Sequence, residues 1–218
     1  MGTITRGFAN NITTNGVLLP ASLNNNSIAN VTAYNASVPT GNMVLISSQT
    51  ASDSASISFT TGIDSTYKEY QFWFVDIKAR TNAVSFDFNL STDSGSNYNV
   101  TKTTTIFQAN HDEADTFTTF SYRTGNDLAQ STAFQLLMIG MGNNADNSGA
   151  GSMCLFNPSS TTYVKHFTAV TNNYEYSNIA SYNLFTAGYG NTTSAVNAIQ
   201  FKMSSGNFDG TIAMFGVV

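Results

Sequence analysis

The densest set of ionisable groups in this chain is His111-Asp112-Glu113-Ala114-Asp115. Calcium takes about six to eight oxygens from a shaped loop. This stretch lacks the turn glycine and the terminal bidentate Glu of an EF-hand, so it predicts a solvated acidic loop. Zinc would draw on His111, His166 and Cys154, which fall in separate segments, and no zinc site is expected. His166, between Lys165 and Phe167, reads as a surface or packing histidine. Serines are plentiful, but none sits in a nucleophile-elbow sequence. A glycosidase needs two opposed carboxylates. Glu is confined to Glu69, Glu113 and Glu175, and the Asp residues fall mostly in turns. The expectation is therefore no catalytic residues, no metal and no cofactor. Cys154, the one cysteine, excludes an intrachain disulfide and reads as a buried apolar residue.

The aromatic residues offer a different chemistry. Tyr174, Tyr176, Tyr182 and Tyr189 crowd the region between Asn172 and Asn191. Tyrosine among Asn and Thr suits stacking on sugar rings or an adaptable polar contact. The same residues also fit packing at the rim of a subunit contact, or ordinary strand faces.

The elements that must position these groups are strands. Tyr67 to Lys78 is the most apolar stretch, with Tyr70, Phe72 and Phe74 on one face and Trp73, Val75 and Ile77 on the other. It predicts a central strand. After Arg80-Thr81-Asn82, the residues Val84, Phe86, Phe88 and Leu90 alternate with Ser85, Asp87 and Asn89. That predicts a half-exposed strand antiparallel to the preceding one. Asn172 to Asn178 reads as an exposed loop. Near the end, Ile199, Phe201 and Met203 alternate with Gln200 and Lys202, and Ser204 to Asn207 form a turn. Thr211 to Val217 is apolar on both faces, with Ile212 and Met214 opposite Ala213 and Phe215. Such a strand is buried on both sides or covered by a partner chain. The last two runs predict a hairpin that closes a sheet.

Turns recur about every ten residues, and no helix of useful length is expected. The pattern predicts an all-β protein, an antiparallel β-sandwich of jelly-roll type over residues 43–218. Residues 1–42 differ. Their apolar residues Val17, Leu18, Leu19, Ile28, Val31 and Tyr34 hold no period. They predict an extended N-terminal arm whose anchors order by lying on another surface, for assembly or attachment, and they fit equally a frayed terminus with no role.

Composition narrows the partners. Of 218 residues only 10% are charged, against roughly 25% in ordinary domains, and the polar load falls on Asn, Ser and Thr. The net charge is −5, and the eight cations are scattered singly, so no nucleic-acid surface is expected. No apolar run approaches a membrane span, and the start has no apolar region of secretory type. The expectation is no membrane insertion and no secretory signal.

Several blocks carry a resemblance. Ser47-Ser48-Gln49-Thr50-Ala51, Ser56 through Tyr67, Leu155-Phe156-Asn157-Pro158-Ser159-Ser160 and Phe201 through Asn207 resemble virion proteins of tailed bacteriophages, especially marine ones, of the tail-fibre-like type. The resemblance runs from about Met43 to Val218 and rests on strand and turn motifs. It implies a non-enzymatic structural component of the virion, assembled in the host cytoplasm. The first expectation is a short tail-fibre or host-adhesion component anchored to the particle by its arm, with a host surface glycan as a further contact. The second is a capsid decoration or cement protein. A glycan-active enzyme is the reading from another class. The implied partners are other virion proteins, of the capsid or of the tail and portal vertex. A homo-oligomer is implied too, with a trimer as the expected form.

Overall fold

The computed structural model of the protein describes residues 42–218, and among them there is no helix. The expected arm up to Gly41, with Val17, Leu18, Leu19, Ile28, Val31 and Tyr34, lies outside the described residues.

Twelve strands follow in chain order. The first four are β1 (Met43–Ser54), β2 (Ser56–Phe59), β3 (Glu69–Ala79) and β4 (Val84–Ser91). Then come β5 (Lys102–Asp112), β6 (Thr118–Tyr122), β7 (Gln135–Met141) and β8 (Gly149–Phe156). The last are β9 (Lys165–Glu175), β10 (Ala180–Gly190), β11 (Ala198–Met203) and β12 (Phe208–Val217). One sheet has eight strands in the order β1-β12-β3-β8-β9-β10-β5-β6, and the other has four in the order β2-β11-β4-β7. All pairings are antiparallel. The halves β1-β12-β3-β8 and β2-β11-β4-β7 form the two sheets of a jelly roll, in which successive strands alternate between layers. The pairs β5-β6 and β9-β10 are insertions that extend one sheet by four strands.

Phenylalanine fills the space between the sheets. Phe201 is fully buried, and the rings of Phe59, Phe72, Phe74, Phe86 and Phe88 surround it at centroid distances of 5.2 to 6.4 Å. These are edge-to-face, tilted and stacked contacts of the kind aromatic cores favour. A second, smaller core of Ile106, Leu136, Ala180, Tyr182 and Leu184 lies under the extension. There β7 closes against β9 through side chains, with Asn173 Nδ2 donating to Ile139 O at 2.8 Å. That bond explains why Asn173 is buried inside a strand where the sequence reads as an exposed loop: β9 continues to Glu175.

Three more expectations are corrected by the layers. β3 and β4 are consecutive but lie in different sheets, and so do β11 and β12. Neither pair is a hairpin; each turn carries the chain across the sandwich. β4 is not half-exposed either. The backbone near Tyr98 and Thr132 lies over its second face and accepts from Asn89 Nδ2 at 2.7 and 2.9 Å, leaving Asp87, Asn89 and Ser91 buried. Finally, Ile77 points inward with Tyr70, Phe72 and Phe74, not outward with Trp73. A bulge reverses the parity: Asp76 takes φ 51° opposite Gly210 at φ 132°, and the register slips on both sides.

Candidate functional site

One side of the eight-stranded sheet packs on the core, and among the described residues nothing covers the other side. Register places one residue of every strand in a row across the open side: Ser48, Ala213, Trp73, Ser152, Val170, Phe185, Phe107 and Tyr122. Trp73 is 43% exposed and Val170 is 45% exposed, so this row is not core. The rows on either side add Phe215 and Leu45 at one end and Phe120 at the other. The aromatic rings pair. Trp73 and Phe215 lie 4.8 Å apart, Phe107 and Phe185 stack at 4.9 Å and 9°, and Phe120 meets Phe107 edge-on at 5.5 Å. Phe120, 73% exposed on the edge strand, is the most open phenylalanine of the set.

With strands about 4.8 Å apart, seven intervals make an apolar ribbon about 34 Å long. Its flanking rows carry hydroxyls and amides: Thr105, Thr168, Gln71, Asn172 and Asn183. Among the described residues, no Lys or Arg stands on these rows. Charge is kept to the margins. Glu69 opens β3, and beyond the bulge Arg80 donates from Nε to Asp209 Oδ2 at 2.6 Å. The strand pattern explains the arrangement. β3 and β12 alternate apolar residues on both faces, and the second set lands on this side.

Two shallow depressions flank the ribbon. One of about 270 Å³ is lined by Thr103, Thr105, His166, Thr168 and Tyr189, with the His166 and Tyr189 rings 6.0 Å apart. The other, of about 250 Å³, is lined by His111, Glu113, Asn172, Tyr174 and Ser181. Small-molecule pockets run from about 300 to 1,000 Å³ and enclose most of the ligand. These dips are smaller and open, so the face suits a broad partner better than an enclosed small molecule.

The four tyrosines do not form one group. Tyr174 and Tyr189 share the open face at opposite ends of the β9–β10 pair, about 26 Å apart at 3.3 Å per residue. Tyr182 points inward and is buried, its hydroxyl accepting from Asn178 Nδ2 at 3.2 Å. Tyr176 lies past the end of β9, against Gly142. Desolvation first, then Glu113, Asp146 and Glu175, raise the Tyr174 phenol.

The acidic segment braces a turn. Asp112 accepts from the backbone of Phe117 and Thr116 at 2.9 Å and from the Thr116 hydroxyl, and these bonds, that of Phe117 foremost, lower its pKa. Asp115 meets His111 Nε2 at 3.0 Å in the open. Among the described residues no group of three His, Cys, Asp or Glu is placed to hold a metal ion. Burial, with Glu69 nearby, pushes the Cys154 thiol up to about 11, so it is a thiol and not a nucleophilic thiolate.

The structure also buries ionisable groups that the sequence reading did not single out. Lys102 and Lys165 are fully buried, and both flank Gly190 in register. Lys102 Nζ donates to Asn89 Oδ1 at 2.5 Å and to Val100 O at 2.8 Å. Lys165 Nζ donates to Tyr163 O and Thr192 O at 2.5 and 3.2 Å. Burial lowers the pKa of both, that of Lys102 to about 7. Asp87 is the acidic counterpart, raised to about 6 by burial. The available signal was parity, since Lys165 shares its strand face with Phe167 and Ala169. Comparison of the chain with family models, with curated proteins and with solved structures finds no match.

Proposed function

We propose that this protein is a non-enzymatic structural component of a virion, a short tail-fibre or host-adhesion component that works by contact. The observation that carries this reading is the open face: a charge-poor sheet surface with two aromatic clusters, Trp73 with Phe215 and Phe107 with Phe185 and Phe120, set along a row that crosses all eight strands. Soluble monomers rarely expose a contiguous apolar patch of more than a few hundred Å², and larger ones mark interaction sites. The strand and turn blocks that resemble phage virion proteins lend support, and so does the jelly roll, an architecture used by viral capsid and lectin domains. That second support is an analogy of fold, and fold alone does not assign a task.

The protein contact belongs on the ribbon and its two flanking dips. Buried Tyr182 is excluded from it, and Tyr174 and Tyr189 reach it only at its borders. The test is to label the protein and image intact particles. The expected result is a few copies at the tail. Copies spread over the shell would replace the fibre reading with capsid decoration. A protein absent from purified particles would overturn the proposal, and so would product formation from a glycan substrate.

A further inference from the structure

We propose that the open face of the eight-stranded sheet is the interface between two copies of this chain, packed sheet face on sheet face. This rests on reading that face as the contact surface, and not on where in a particle the protein sits.

Area comes first. The ribbon is about 34 Å long, and the five rows of β10 from Ser181 to Tyr189 span about 26 Å, the outermost two running on to Lys78 with Asp209 and to Glu69. The product, about 900 Å², matches the roughly 800 Å² per partner that a stable complex buries. Composition agrees with it. Apolar side chains line the middle row, uncharged amides and hydroxyls flank it, Glu69, Lys78, Arg80 and Asp209 stand at the border, and Asp76 is exposed at the bulge. This is the order of an interface, with a dry centre and a polar rim. The three central rows hold no Lys or Arg, so a like face covering them desolvates no ammonium or guanidinium, and Lys78 stands at the border beyond the bulge.

Symmetry selects the geometry. Large residues cluster towards both ends of the row, as Trp73 with Phe215 and as Phe185 with Phe107, and Ser152 stands between them. A two-fold axis parallel to the strands lays one end of the row over the other end of the second copy. The contact is then isologous and closes on itself. Packed sheets lie about 10 Å apart, so side chains reach about 5 Å from each sheet. In a triangular prism with sides of about 34 Å, the three-fold axis lies about 10 Å from each sheet, beyond that reach. The face therefore fits a pair, and not the trimer implied by the resemblance.

The test is sedimentation velocity of the full chain across a wide concentration range, with Val170→Lys, Phe120→Lys and, as a loop control, Thr161→Lys. Val170 and Phe120 are exposed, so both face variants are expected to keep the native circular dichroism. The expected result is a dimer for the parent and the control, and a dissociation constant raised at least 100-fold in Val170→Lys. A parent that is monomeric at every concentration would overturn the proposal. A dimer or trimer indifferent to both face substitutions would overturn it as well. A monomer retained on an immobilised neutral glycan would overturn it in favour of a sugar-binding face. Because the readout is self-association of the free chain, it can fail while the particle assignment stands, and the reverse is also true.

Discussion

Replacing Lys102 with methionine should change how stability depends on pH. Methionine keeps the stem and removes the ammonium. Burial lowers the Lys102 pKa from 10.5 to about 7. The folded state therefore binds fewer protons than the unfolded chain between those two values, and stability rises with pH across that window. The full span, about 3.5 pH units at about 1.36 kcal/mol each, is about 5 kcal/mol. Between about pH 7 and about pH 9 the same relation leaves about 2 kcal/mol. Urea denaturation of parent and variant at these two values is the assay. The parent should gain about 2 kcal/mol over Lys102→Met on going to the higher pH. Taking the difference cancels Cys154 and every other group that titrates in both proteins. The substitution also costs the bonds to Asn89 Oδ1 and Val100 O, each worth about 1 kcal/mol at either pH, which does not affect the slope. An identical pH response in the two proteins would refute the claim that this ammonium is buried without an ionic partner.

Asp87→Asn should act in the opposite sense. With its pKa raised to about 6, the folded carboxyl holds its proton where the unfolded one does not, so stability falls as pH rises from 3.8 to about 6. Between about pH 4 and about pH 7 the parent should lose about 2 kcal/mol relative to the variant in the same urea assay. Phe201→Ala, at the centre of five rings, should cost about 3–5 kcal/mol in chemical denaturation. Arg80→Gln should leave the urea midpoint nearly unchanged, because its pairing with Asp209 is exposed and screened. A midpoint shift as large as that of Phe201→Ala would contradict the reading of that border as a solvated rim.

The fold was legible where parity is undisturbed. Ile199, Phe201 and Met203 alternate in sequence and are buried as expected, as are Tyr70, Phe72 and Phe74. Parity failed at Ile77, where one extra residue in β3 exchanges the faces. Turn residues such as Ser204 to Asn207 announce a reversal, but they do not say whether the chain returns in the same layer. That is why β11 and β12 read as a hairpin when they lie in opposite sheets. The open face was half legible. Thr211 to Val217 and the stretch around Trp73 were visibly apolar on both sides, which called for a cover. The alignment of Phe107, Phe185 and Trp73 in one row depends on register between strands distant in sequence, and no local pattern encodes that. The tyrosines show the converse: neighbours in sequence, they are spread by a strand pair to its two ends and both of its faces.

The open face must be covered when the protein is at work. Hydroxyl-radical footprinting of the full chain, dilute and free and then within purified particles, measures this residue by residue. Trp73, Phe107, Phe185 and Phe120 should label readily in the dilute protein and be strongly protected in the assembled state, with Tyr163 on its exposed loop unchanged. Equal labelling of the four aromatic residues in both states would contradict the account.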